Sequence, residues 1–229
     1  MKKSPALEID VVTIFPDFFT SPLEESLIRK ARERGLVKIR LQNLRDFTHD
    51  RHKTVDDRPF GGGPGMVMKP EPIFECVESL KGRGKSGKPW VVLLDPKGEQ
   101  LTPALAEKLA GRKKLVLIAG HYEGVDHRVY EQLADQAVSV GSFVTMGGEA
   151  PALCLIEAVM RFVPGVLGNQ DSLKDESFTD GGLEYPQYTR PRNYRGWEVP
   201  GVLISGDHPK VAKWRRENAR GLTRKRNKK

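Results

Sequence analysis

Short apolar runs alternate with helix-like segments through most of the chain, and this alternation restricts the fold more than any other feature. Glu8–Phe15 reads as a buried strand, rich in Val and Ile and closed by Pro16. Leu36–Leu41 alternates as a second strand, Trp90–Leu94 and Leu115–Ala119 follow, and Val138–Val140 makes a short fifth. Helices are predicted between them, from Ser21 to Arg34, over Glu71–Leu80 and Pro103–Ala110, near Val125–Leu133, and over Glu149–Val163. Ser21-Pro22-Leu23-Glu24 reads as a capping box with Pro at the first helical position, and Gly35 as the stop after Arg34. Strands separated by helices predict an α/β fold with a mainly parallel sheet and helices on both faces.

Residues 1–163 form the first predicted domain. Residues 164–185, rich in Gly, Asp and Ser, read as a linker. Residues 186–229 form a small C-terminal region with a helix expected at His208–Arg220; such a short piece does not sustain a core alone. Residues 43–70 make a long connection of little periodicity, a length that usually signals function. Charge is distributed unevenly. Nine of the 38 basic and one of the 30 acidic residues fall in 213–229, which leaves 29 of each in 1–212. The whole excess of +8 therefore sits at the end of the chain, where it suits either a polyanionic partner or simple solubility.

Several function classes are excluded. Apolar residues make up 38%, too many for a disordered polyelectrolyte, and no run is long enough to span a membrane. Met1-Lys2-Lys3 resembles the start of a signal peptide, but Glu8 and Asp10 interrupt the apolar stretch, so a cytoplasmic protein is expected. Cys76 and Cys154 match no metal or redox spacing and are expected as packing residues. His49, His52, His121, His127 and His208 offer no zinc-type spacing, so no metal site is predicted. Gly84-Lys85-Ser86 imitates the end of a phosphate-binding loop, but Ser79 stands where its first glycine belongs. No Gly-x-Ser-x-Gly elbow occurs.

Three glycine-bearing segments share a placement. Asp95-Pro96-Lys97-Gly98 follows one predicted strand and Gly120-His121-Tyr122-Glu123-Gly124 another; Val140-Gly141 leads through Ser142–Met146 to Gly147-Gly148-Glu149. In open α/β sheets ligands collect at the carboxyl ends of strands, so these loops predict a small-molecule pocket. Gly61-Gly62-Gly63-Pro64-Gly65 is denser still, but it does not join a strand to a helix as a dinucleotide fingerprint would.

Five blocks then carry a family resemblance: Phe15–Phe19 (FPDFF), Asp46–Met66 (DFTHDRHKTVDDRPFGGGPGM), Gly120–Arg128 (GHYEGVDHR), Arg161–Gly168 (RFVPGVLG) and Glu184–Pro191 (EYPQYTRP). In this order they resemble the bacterial tRNA (guanine-N1)-methyltransferase family TrmD, of the SPOUT superfamily, over about residues 8–216. The resemblance implies a trefoil-knotted methyltransferase domain followed by a small helical tRNA-binding domain. It implies S-adenosylmethionine as methyl donor, magnesium as a possible cofactor, and a homodimer with an active site shared between chains. The acceptor it implies is N1 of the guanosine immediately 3′ of the anticodon, in tRNAs where another guanosine precedes it.

Carried over by motif, Leu94, Pro96 and Gly98 of the first loop would bind the cofactor, with Gly120, Tyr122 and Glu123 of the second. From the third come Val140, Gly141, Ser142, Phe143, Val144, Thr145, Gly147 and Gly148, with Pro151 beyond them. Many relatives have Gly-Asp-Tyr where this chain has Gly141-Ser142-Phe143. The resemblance makes Arg161 the cation that stabilises charge on the purine. It makes Glu176 the general base, in a position where familiar members carry Asp; Asp175 is the alternative base if the register shifts by one. Candidate tRNA contacts are Arg45, Asp50, Lys53 and Arg58, then Tyr188, Arg190 and Arg192, and finally Lys213, Trp214, Arg215 and Arg216. Arg220–Lys229 reads as a loose electrostatic arm. Two other readings stay open at this point: a tRNA-binding relative that has lost catalysis, and a methyltransferase acting on another RNA position.

Overall fold

The computed structural model describes residues 5–81, 88–169, 173, 176–179 and 181–227. The elements run β1 (Leu7–Thr13), α1 (Thr20–Leu23), α2 (Ser26–Glu33), β2 (Val37–Asn43), β3 (Asp56–Asp57), β4 (Val67–Met68) and α3 (Pro70–Lys81). There follow β5 (Trp90–Gln100), α4 (Pro103–Ala110), β6 (Lys114–Ala119), α5 (His127–Gln132), β7 (Gln136–Ser139) and α6 (Glu149–Met160). The chain ends with β8 (Asn193–Tyr194), β9 (Trp197–Glu198) and α7 (His208–Asn227). It divides into two compact units, residues 1–168 and 169–229.

In the first unit β2, β1, β6, β5 and β7 form one parallel sheet in that order. Alternate side chains of the strands serve opposite faces, so each central strand feeds two cores. On one face Ile9, Val11, Val92, Leu115 and Leu117 meet Leu109 of α4 and Leu155, Ile156 and Val159 of α6. On the other, Val12, Val91, Leu93, Val116 and Ile118 meet Ile73, Val77 and Leu80 of α3 and Val129 of α5. Each such side chain contributes roughly 1.5–3 kcal/mol by leaving water, so the sheet is a rigid platform for the loops at its edge. The buried charges Asp10 and Lys114 within it are both paired. Asp10 is fully buried and accepts two bonds of 2.7 Å from Arg40, and Lys114 donates to the carbonyl of Leu80 at 2.6 Å.

Four expectations need correction. The helix from Ser21 to Arg34 is two helices, because Ser26, the first residue of α2, takes φ +48°. Ser21 lies inside α1 and no side chain caps that helix; the Glu24 carboxylate accepts from Arg32 at 2.6 Å instead of serving a capping box. The Trp90–Leu94 strand resumes beyond Asp95–Gly98, where Glu99 and Gln100 pair with Val138 and Ser139. Cys76 is buried as a packing residue, but Cys154 is exposed. The Gly84-Lys85-Ser86 motif lies outside the described residues.

In the second unit none of the described residues is buried. Its helix α7 extends to Asn227, well past Arg220, so residues 220–227 of the segment expected to be a loose arm are helical.

Candidate active site

Parallel register brings three strand ends to one edge, since Leu94 of β5 pairs with Ala119 of β6 and with Val138 of β7. The loops that follow enclose a cavity of about 260 Å³. Of the residues assigned to the cofactor, all but Gly98, Gly141 and Ser142 line it. The walls also include Asp95, Lys97, His121, Val125, Val138, Ser139 and Met146, which motif reasoning did not single out.

Glycines in these loops are required chiefly by other parts of the chain. A Cβ on Gly98 would lie 2.4 Å from the backbone of Ala137 and Val138, and one on Gly148 would lie 2.8 Å from that of Ala119 and Gly120. Chain therefore passes over chain at contact distance on both sides of the cavity. Gly148 donates to the Gly120 carbonyl at 2.6 Å, Thr145 donates to the Gly147 carbonyl at 2.7 Å, and Ser139 donates to the Gly141 carbonyl at 3.0 Å. Gly141 sits beneath the Phe143 ring, and Ser142 is exposed outside the lining. Phe143, Val144 and Met146 are 60%, 81% and 93% exposed and form an apolar rim.

The long 43–70 connection reaches the same place. The Met66 carbonyl accepts from Glu123, Met68 donates to Gly124, and Asp126 donates to Met68. Gly65, at φ +79°, lies against the Glu123 side chain: a Cβ there would meet it at 2.4 Å. The glycine run thus ends by supporting a wall of the cavity. Tyr122 stands at φ +60°, and burial raises its phenol above the ordinary value, with the Asp56 carboxylate alongside adding to the shift and Arg45 opposing it.

Below the second loop lies a polar link that sequence reasoning missed. Glu149 is buried in the first turn of α6, where a negative charge complements the helix dipole. Its Oε1 accepts from the Thr13 hydroxyl at 2.8 Å, and its Oε2 lies 3.4 Å from Nδ1 of His121. The His121 ring packs edge-on against Phe15 and Tyr122. A carboxylate opening an apolar helix just after Gly147-Gly148 was the available signal.

Arg161 is the C-terminal cap of α6, at the opposite end from Gly148 and Glu149. Twelve residues at about 1.5 Å each place it roughly 18 Å along the helix from that end of the cavity. Glu176 belongs to the second unit, where it lines a groove of about 910 Å³ together with Arg215, Arg216, Arg220 and Arg224 of α7. Asp175 lies outside the described residues.

The candidate tRNA contacts fall in both units. Arg45 donates to the Lys53 carbonyl, Lys53 lies 3.6 Å from Asp46, and Arg58 is exposed. The Asp50 carboxylate accepts from the hydroxyl and amide of Thr54 and the amide of His52, and the Thr54 bonds hold it below the usual carboxylate range. In the second unit Tyr188, Arg190, Arg192 and Arg215 surround a hollow of about 400 Å³. Tyr188 lies 6.2 Å from the Trp214 ring, Lys213 faces Glu217, and Arg216 is exposed. Among the described residues no three His, Cys, Asp or Glu side chains are grouped to hold a metal ion.

Residues 7–229 match the family model described as tRNA (Guanine-1)-methyltransferase TrmD. The chain belongs to the TrmD family. TrmD relatives named tRNA (guanine-N(1)-)-methyltransferase include that of Dictyoglomus turgidum, 52% identical over 93% of this chain and 85% of the relative. That of Microcystis aeruginosa is 52% identical over 96% and 94%, and that of Geobacter sulfurreducens 49% over 96% and 89%. The five-stranded parallel sheet with helices on both faces is the architecture that the alternation of strands and helices predicted, and it is consistent with this family.

Proposed function

We propose that this chain methylates N1 of a guanosine in tRNA, the one immediately 3′ of the anticodon, with S-adenosylmethionine as donor. The observation that carries this reading is a family match over residues 7–229 joined to a cavity built by the three motif-bearing loops. The residues fit the donor. Leu94, Val138, Val140 and Pro151 offer an apolar slot for a flat base beside strand-end backbone groups, and the Asp95 and Glu123 carboxylates suit a cationic ligand. The lining assigned to the cofactor is Leu94, Pro96, Gly120, Tyr122, Glu123, Val140, residues 143–145, Gly147, Gly148 and Pro151, with Gly98 and Gly148 fixing how closely the chain closes over it. When bound, S-adenosylmethionine supplies an activated methyl group; the protein supplies orientation, a base and a cation.

Guanine N1 becomes nucleophilic when its proton leaves. Glu176 takes that proton, its stem one methylene longer than the aspartate of familiar members; Asp175 is the alternative. Arg161 stabilises the negative charge that develops at O6. The described residues do not fit a protein-held magnesium ion, and no step is assigned to one.

This division of labour calls for a homodimer with a shared site. Arg161 and the cavity lie at opposite ends of α6, and Phe143, Val144 and Met146 form an exposed apolar rim that a partner chain would cover. The trefoil knot is likewise proposed from the family, together with a tRNA-binding second unit and a cytoplasmic location. Labelled S-adenosylmethionine incubated with a tRNA transcript tests the activity. Transfer of label to the transcript is expected; its absence from both unmodified tRNA and transcript would overturn the reading.

A further inference from the structure

The Glu176 segment is fastened to the end of α7 at several points. Within the segment, Phe178 donates to the Gly182 carbonyl at 2.6 Å, Thr179 to the Glu176 carbonyl at 3.3 Å, and Glu184 to the Ser177 hydroxyl at 3.0 Å. These bonds tie residues 176–178 to residues 182–184, and Phe178 takes φ +76°, a conformation that a side chain adopts only when its surroundings hold it. Two contacts then bind this unit to the helix. Thr223 Oγ1 accepts from the amide of Leu183 at 2.9 Å while donating to the Ala219 carbonyl at 2.9 Å. Gly182 passes so close that a Cβ on it would lie 3.3 Å from the same oxygen. One turn further on, the Arg226 guanidinium covers the Phe178 ring at 4.5 Å from its centroid.

We propose that Thr223 and Arg226 are positioning residues, which hold the carboxylate of Glu176 where it can take the proton from guanine N1. The inference rests on the reading of Glu176 as the base. The hydroxyl of Thr223 fixes the height of the Leu183 backbone on α7, and the Arg226 cation fixes the ring two residues after Glu176. The end of the basic tail thereby acts on chemistry through the loop it holds, besides any attraction for phosphates. Preorganisation of this kind is felt in the rate of the step and much less in ground-state binding.

The test is a double-mutant cycle on the full-length enzyme, read as single-turnover methyl transfer at saturating S-adenosylmethionine and tRNA transcript, with tRNA Kd measured alongside. Thr223→Val keeps shape but loses both hydrogen bonds. It is expected to slow transfer about tenfold and to leave Kd within about twofold, while Thr223→Ser, which keeps the hydroxyl, recovers most of the rate. Arg226→Ala is expected to behave like Thr223→Val. In a Glu176→Gln background neither substitution should slow transfer further, because their effect passes through the missing carboxylate. Equal losses in both backgrounds, an unchanged rate, or a loss confined to tRNA Kd would each overturn the positioning role. A full rate in Glu176→Gln alone would remove the base reading, and the positioning role with it; the single variant therefore separates the two failures.

Discussion

The hydroxyl of Thr13, at the end of β1, donates to the buried carboxylate of Glu149 at the start of α6, 2.8 Å away. The same hydroxyl accepts from the amide of Phe15 at 3.0 Å, so one oxygen links the strand end, the following turn and the helix that floors the cavity. Removing the carboxylate leaves buried polar groups unpaired, at a cost of about 1–3 kcal/mol. Glu149→Ala is therefore expected to lower unfolding free energy by about that amount, and Glu149→Gln by less, because an amide oxygen still accepts from Thr13. Urea unfolding of the three proteins decides the point; equal stabilities would contradict it.

Gly98 and Gly148 lie where backbone passes backbone at 2.4 and 2.8 Å from a notional Cβ. Gly98→Ala and Gly148→Ala are expected to destabilise the protein by about 1–3 kcal/mol, as overpacking does, and to weaken cofactor binding together. Gly168→Ala, where nothing lies within 4 Å, serves as the control. Calorimetric binding and melting of these variants tests the ordering, and a neutral Gly98→Ala would contradict it.

Asp126 caps α5, accepting from the amide of Arg128 at 2.9 Å and from its guanidinium at 2.7 and 2.8 Å. The Arg128 guanidinium holds the carboxyl below the ordinary range, with burial opposing. A carboxyl depressed in the folded state contributes stability above its unfolded value and loses it as pH falls through the folded one. Arg128→Ala should raise the Asp126 midpoint towards that of a free carboxylate, followed by carboxyl carbon NMR. A midpoint unmoved by the substitution would show that other contacts hold the charge.

Truncation after Leu222 removes Arg224, Lys225, Arg226, Lys228 and Lys229. Phosphate contacts release counterions, so tRNA affinity should fall at low salt and its dependence on salt should become shallower, while cofactor affinity is kept. Because Thr223 and Arg226 leave with the charges, transfer should also slow at saturating tRNA. A truncated enzyme with unchanged salt slope and rate would make the tail a solubility device.

The sheet was legible because its signal is local. Val91–Leu94 and Leu115–Ala119 are continuous apolar runs that only a strand buried on both faces requires, and the loops after them had to meet at one edge. What stayed hidden depends on distant pairing. Glu99 and Gln100 rejoin the sheet only because Val138 and Ser139 receive them. Thr13 and Glu149 are 136 positions apart, and nothing near either residue announces the other. Gly221 reads locally as a helix breaker, yet α7 continues through it, and Thr223 bonds both Ala219 and Leu183. The roles of Arg161 and Glu176 came from family motifs; the fold places one at the end of α6 and the other in the second unit.

The proposed reaction delivers methyl to N1 of one guanosine. The most direct measurement is mass-spectrometric mapping of nucleosides in a tRNA transcript after incubation with S-adenosylmethionine and the full-length enzyme. 1-Methylguanosine is expected only at the nucleotide 3′ of the anticodon, lost when that guanosine is replaced by adenosine and formed at least about a hundredfold more slowly with Glu176→Gln, in keeping with the scale of general-base catalysis. Methyl found on another base, or at another guanosine with this one untouched, would contradict it.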